Sequence, residues 1–156
     1  MIFIFIKYGS QEFFDLLKET LNKDKKFRDL GKGNYDTTEL ILIKDLNIGI
    51  WQETRNGEIK ELKLIPKSKI KEFENKAELI YYVNDYESMV KISQGKESFV
   101  SLVIDDIIVF KGSMKTLTKI QAPSERMETI LRNLTNKVVI PTKIQYQKWL
   151  AENGYL

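Results

Sequence analysis

The sequence predicts an α+β domain in which a largely antiparallel sheet packs against helices. Three short runs rich in β-branched and apolar residues, Thr38–Ile43, Ile48–Thr54 and Ile59–Ile65, follow one another closely enough to form a meander. The second and third are joined by Asn56-Gly57, a pair that tolerates positive φ and is the strongest short hairpin signal. Segments with helical spacing stand before and after these strands, as an α+β arrangement requires. With 156 residues, 42% of them hydrophobic and 11% aromatic, the chain can bury one sizeable core, and a single domain is expected.

From the start of the chain, Met1–Ile6 is apolar but has neither a basic region before it nor a small-residue cleavage site after it, so it is not read as a signal peptide. The longest apolar runs, 98–104 and 107–110, fall far short of the roughly 20 residues that span a bilayer. A cytoplasmic protein without a transmembrane segment is expected. Ser10 is placed to cap a helix over residues 10–23, in which Phe13, Leu17 and Leu21, with Phe14 and Leu16, recur at helical spacing. Gly31 and Gly33 lie in a polar stretch before the meander, whose first turn is closed by Asp45-Leu46-Asn47. Trp51, in the second run, is expected in the core.

Pro66 and the lysine-rich segment to Asn75 read as a connection, and Glu78–Val83 as a fourth strand. Asn84 with Glu87 resembles a capping box for a helix in which Tyr86, Met89, Val90 and Ser93 share a face, and Gly95 stands where that helix stops. Residues 99–110 fit either two strands about Asp105-Asp106 or a short buried helix followed by one strand. Ser124, after Pro123, begins a helix whose Met127, Ile130, Leu131 and Leu134 form one apolar stripe, with Leu131 expected to be buried. Thr142 and Gln145 give a second capping-box signature before a short terminal helix with Tyr146, Trp149 and Leu150.

Composition narrows the function. The chain has no cysteine and no histidine, which removes Ser-His-Asp and Cys-His catalysis, thiolate or imidazole zinc sites and the ordinary near-neutral proton shuttle. A net charge of +3 from 25 basic and 22 acidic residues is mild. The basic clusters Lys23–Arg28 and Lys67–Lys71 read as solvated faces, so no nucleic-acid partner is expected. Asp105-Asp106 reads as a turn, not as a metal or acid–base pair. Ser113, between Lys111 and Lys115, reads as a helix cap and not as a nucleophile. Asn133-Leu134-Thr135 matches a glycosylation sequon but falls within the helix begun by Ser124.

The order helix, three-stranded meander, strand, helix, then an apolar segment ending in Lys111-Gly112-Ser113-Met114 resembles the sterol carrier protein type 2 family. Tyr8–Phe13, followed by Leu21-Asn22 and Phe27-Arg28, is similar to the first helix of stand-alone prokaryotic members. Ala77–Val83, then Tyr86 to Gly95-Lys96, then Phe110–Met114, is similar to the family's strand, helix ending in Gly-Lys and strand ending in Lys-Gly-Asn-Met. The chain departs from the family at Ser98-Phe99, where Asp-Pro is common, and at Asp106, where glycine or a basic residue stands.

The resemblance implies that 99–104 is a short buried helix and 107–112 a fifth strand. The fold is then a five-stranded, mainly antiparallel sheet covered on one face by helices, with a lone crossing between Val83 and Ile107. Residues 1–137 form the sterol-carrier-like lipid-binding domain, and 138–156 are a C-terminal helical extension of the same domain with no family role to inherit. The resemblance further implies a non-enzymatic protein, without cofactor or metal, that binds a fatty acyl chain, sterol or similar apolar ligand in a tunnel between sheet and helices. Met89, Ile92, Phe99, Leu102, Met114, Leu117, Met127 and Ile130 are the expected walls, and their three methionines suit a variable lipid surface because the thioether chain is unbranched and polarizable. The alternative is an interaction protein of the same fold whose tunnel is closed, pairing with itself as a homodimer or with an enzyme of acyl metabolism.

Overall fold

The computed structural model describes residues 3–97, 102 and 105–156. Strands β2 (Thr37–Ile43), β3 (Ile48–Arg55), β4 (Glu58–Ile65), β5 (Leu79–Val83) and β6 (Ile108–Gly112) form one sheet in the order β4-β3-β2-β5-β6. Three of the four pairings are antiparallel, and β2 and β5 run parallel, with Glu39 beside Leu79 and Ile43 beside Val83. The meander forms as its turns dictate. Asn47 takes φ 52° between β2 and β3, and Asn56 and Gly57 take 49° and 77° between β3 and β4. Gly57 is also required by space, because a Cβ there would lie 2.8 Å from the carbonyl carbon of Gly31.

The crossing lies elsewhere than expected. β5 and β6 are antiparallel neighbours, so the link between them makes no crossover, whereas the link from β4 to β5 must carry the chain past β3 and β2. That link is the lysine-rich segment expected to be a plain connection. Instead it forms a 3-10 turn over Lys67–Lys69 and the helix α3 (Ile70–Lys76). α3 sets Phe73 edge-on against Trp51, at 4.9 Å between centroids, and so covers an apolar patch of Leu40, Leu42, Ile65 and Ile80 on the second face of the sheet. Lys63 and Lys76 lie over the Phe73 ring at 5.2 and 5.0 Å. The cations that shield this buried aromatic thus come from β4 and from the end of α3, while Lys67, Lys69 and Lys71 are exposed.

The other face carries the main core. α1 (Gln11–Lys23) starts at Ser10, whose hydroxyl accepts from Phe13 N at 3.2 Å, and buries Phe13, Phe14, Leu17 and Leu21. Asp24 ends it and caps α2 (Lys25–Gly31), a helix the sequence reading lacked. The same carboxylate takes a two-pronged bond from Arg126, 2.8 and 3.0 Å, tying α2 to α6 (Gln121–Thr135). α4 (Tyr86–Ser93) is capped by Asp85, which accepts from Ser88 N at 2.7 Å, one residue later than Asn84. α5 (Met114–Lys119) is capped by Ser113. α6 begins at Gln121, ahead of Ser124, because Pro123 fits a first helical turn, where its missing N–H is no loss. Its buried line is Pro123, Ile130 and Leu134. Leu131, expected in the core, is half-buried on the flank of that line. Trp51 is buried as expected.

A parallel pair, β1 (Phe3–Lys7) with β7 (Val138–Val139), stands apart from the main sheet. The terminal helix α7 (Lys143–Glu152) has the full Thr142–Gln145 capping box and packs Tyr146 and Leu150 into the core.

Candidate ligand site between the sheet and the helices

The covered face of β5 and β6 presents Leu79, Tyr81, Val83, Ile108 and Phe110, and α4, α5 and α6 lie over the same cluster. α4 brings Met89 and Ile92, three residues apart and so on one face, and α6 brings Met127 and Ile130 at the same spacing. Met89, Ile92, Leu102 and Ile130 are 8%, 7%, 2% and 6% exposed and belong to one continuous core. Leu117 and Met127 are half-buried against it. Met114 stands apart from them, 65% exposed on α5. Phe99, and the rest of the short helix expected over 99–104 apart from Leu102, lie outside the described residues.

A buried polar group sits on the same face. Glu39 is on β2 directly opposite Gln52 of β3. Tyr35 Oη donates to one of its carboxylate oxygens, and Tyr81 Oη donates to the other at 2.8 Å. Gln52 Nε2 donates to Tyr35 Oη at 2.9 Å and to Thr54 Oγ1 at 3.0 Å. Burial pushes the Glu39 carboxyl above the usual carboxylate range, and the two tyrosine hydroxyls oppose that rise only in part. Burial and then the Glu39 charge hold both phenols up, so they remain protonated donors. The Tyr81 ring also lies against Phe110, 5.6 Å between centroids, so this polar cluster borders the apolar set. Sequence reasoning missed Glu39. The available signal was the alternation of β2, which puts Glu39 on the same side as the core-facing Ile41 and Ile43.

Other residues weighed for chemistry have structural positions. Ser113 Oγ accepts from Thr116 N at 3.2 Å, and Asp106 takes the left-handed conformation, φ 57°, in the turn before β6. Among the described residues no group of three or more carboxylates is placed to hold a metal ion. Two surface depressions lie elsewhere: one of about 340 Å³ over Leu16, Thr20 and Asp24, and one of about 380 Å³ over Tyr8, Val139, Tyr146 and Trp149. None of the seven expected wall residues that are described lines either. Among the described residues, Met89, Ile92, Leu102 and Ile130 pack into the space between the sheet and the helices.

No known family's sequence profile matches the chain, and no curated protein matches it. Solved structures do. A crystal structure of sterol carrier protein 2 superposes with a TM-score of 0.65 at 12% identity, covering 79% of this chain and 95% of that one. The solution structure of a conserved hypothetical protein, possibly sterol carrier protein, from Thermus thermophilus superposes with a TM-score of 0.66 at 12% identity, covering 85% of this chain and 91% of that one. A stereoselective inverting sec-alkylsulfatase from Pseudomonas sp. matches at a TM-score of 0.50 and 20% identity, over 73% of this chain but 16% of its own. At these identities the likeness speaks to the fold alone: the chain has a sterol carrier protein 2-like fold.

Proposed function

We propose that this chain is a non-catalytic lipid carrier that holds a fatty acyl chain, sterol or similar apolar ligand between the sheet and α4, α5 and α6. The observation that carries the reading is the convergence of Met89, Ile92, Leu102 and Ile130, from separate segments, on one apolar cluster over Tyr81 and Phe110. A ligand enters by displacing side chains, and Met89 and Met127 can re-pack around it at small cost because an unbranched thioether has several rotamers of similar energy. Phe99 and Leu117 complete the wall, and Met114 joins it only when α5 turns inward. The Glu39–Tyr35–Tyr81 group supplies the few polar contacts that such sites use to orient a ligand. Basic and acidic residues are nearly balanced, and the reading includes no nucleic-acid partner and a cytoplasmic location. Native mass spectrometry of the purified protein tests it. A copurified lipid mass that is released by organic solvent is expected, and a chain that carries none and takes up none from a lipid mixture overturns it.

A second reading has its own observation. Phe5 is 90%, Ile144 78% and Val139 47% exposed around the β1–β7 pair and the terminal helix, three of the six large apolar side chains exposed among the described residues. On this reading the tunnel stays closed and the face pairs with a second copy as a homodimer. Sedimentation equilibrium of wild type and Phe5→Ser separates the two, since only this reading requires a dimer that the substitution dissociates.

A further inference from the structure

The inner face of the sheet changes character along its strands. Across β3, β2, β5 and β6, in register, one row is Ile48, Ile43, Val83 and Ile108, and the next is Ile50, Ile41, Tyr81 and Phe110. The row after that is Gln52, Glu39, Leu79 and Gly112, so the apolar face ends at one side in a buried carboxylate. The hydrogen bonds around Glu39 decide what that end can recognise. Tyr35 and Tyr81 have one phenolic proton each, and each gives it to a Glu39 oxygen. Gln52 gives away both N–H groups of its side-chain amide, one to Tyr35 Oη and one to Thr54 Oγ1. A carboxylate has about four lone-pair positions, and the two phenols fill about half of them. Glu39 therefore has lone pairs to offer a ligand, while Tyr35, Tyr81 and Gln52 have no side-chain proton left to offer one. A ligand carboxylate placed here meets a like charge in a desolvated site. An ether oxygen finds no donor, whereas a hydroxyl or a primary amide donates to Glu39.

We infer that Glu39 selects among apolar ligands by their polar end, taking chains that end in a neutral hydrogen-bond donor, a hydroxyl or primary amide, over chains that end in a carboxylate. This rests on the lipid-carrier reading and adds to it the chemistry of the ligand's inner end. A fatty acid can still lay its chain along the apolar rows with its carboxylate turned to solvent. It forgoes only the contact with Glu39.

Calorimetric titration with decan-1-ol, decanamide, decyl methyl ether and decanoate, matched in chain and different in polar end, tests the inference. A hydrogen bond to a charged group is worth roughly 10-fold or more in affinity, so the alcohol and the amide should each bind wild type roughly 10-fold tighter than the ether and the acid. The ether isolates the donor, since it lacks the proton of the alcohol and carries no charge. In Glu39→Gln the new amide supplies protons of its own and no charge, so the ratio of alcohol to decanoate affinity should fall to about one. A thermal melt establishes that the variant folds, and the wild-type comparison of alcohol with ether decides the matter if it does not. Alcohol and ether bound alike by wild type, or a preference kept unchanged in folded Glu39→Gln, overturns the inference and leaves the carrier reading standing. Failure of all the ligands to bind wild type overturns both.

Discussion

Ile130→Ala removes three carbons from a side chain that is 6% exposed, at the centre of the α6 line that faces the candidate site. Truncation of a large aliphatic residue in a packed core costs about 2–5 kcal/mol, a transfer loss plus the cavity left behind. For a chain of this length each kcal/mol lowers the melting temperature by about 2–4 °C, so a fall of roughly 10 °C is expected. The same cavity is space for a ligand. Three methylene-sized volumes at about 0.8 kcal/mol each set an upper bound of about 50-fold on the gain in affinity for a saturated fatty acid. Thermal melts by circular dichroism, with and without palmitate, and calorimetric titration of both proteins measure the two effects together. Palmitate should restore more of the melting temperature in the variant than it adds to wild type. A variant that melts as wild type does refutes the packing. One that melts lower but binds palmitate no better refutes the placement of the ligand beside Ile130.

On the same helix, Leu134→Ala should cost about 2–5 kcal/mol, whereas half-buried Leu131→Ala should cost about half that; equal midpoints in urea would contradict the phase of α6. Because the folded chain holds the Glu39 proton more tightly than the unfolded chain does, the contribution of Glu39 to stability should be complete at about pH 4 and below and should be lost as pH rises through the raised value. Glu39→Gln should flatten that part of the urea midpoint against pH, and an unchanged slope would place its source elsewhere. Gly57→Ala should destabilise by more than about 1 kcal/mol, since φ is 77° and the new Cβ meets the Gly31 backbone; a melt equal to wild type would show that the hairpin tip and the end of α2 are not held together.

The sequence was most readable where a local rule and a tertiary need coincide. Ser10, and Thr142 with Gln145, satisfy backbone groups within four residues, and Asn56-Gly57 takes the positive φ its turn needs, so their elements appear with ends as expected to within a residue or two. Short elements held by distant contacts were not legible. α3 exists because Phe73 meets Trp51, and α2 because Asp24 serves both as its cap and as the partner of Arg126, far along the chain. β1 has its partner at Val138–Val139, too short a run to announce itself. Within the candidate site, helical spacing placed Met127 with Ile130, whereas the face expected for α4, Tyr86, Met89, Val90 and Ser93, left out Ile92. Met114, at the exposed start of a helix after a strand, had no such periodicity to place it. Glu39 was obscured by its neighbours: β2 is buried on both faces, so the alternation that sets Glu39 beside Ile41 and Ile43 stood out little in an apolar strand.

Titration of saturated fatty acids of increasing chain length against the wild-type protein is the measurement that bears most directly on the carrier reading. If an acyl chain lies between the sheet and α4, α5 and α6, affinity should rise about fourfold with each added methylene and then level off when the space is full. Absence of binding at every length, or affinity indifferent to length, would contradict it and leave the closed-core interaction protein as the better account.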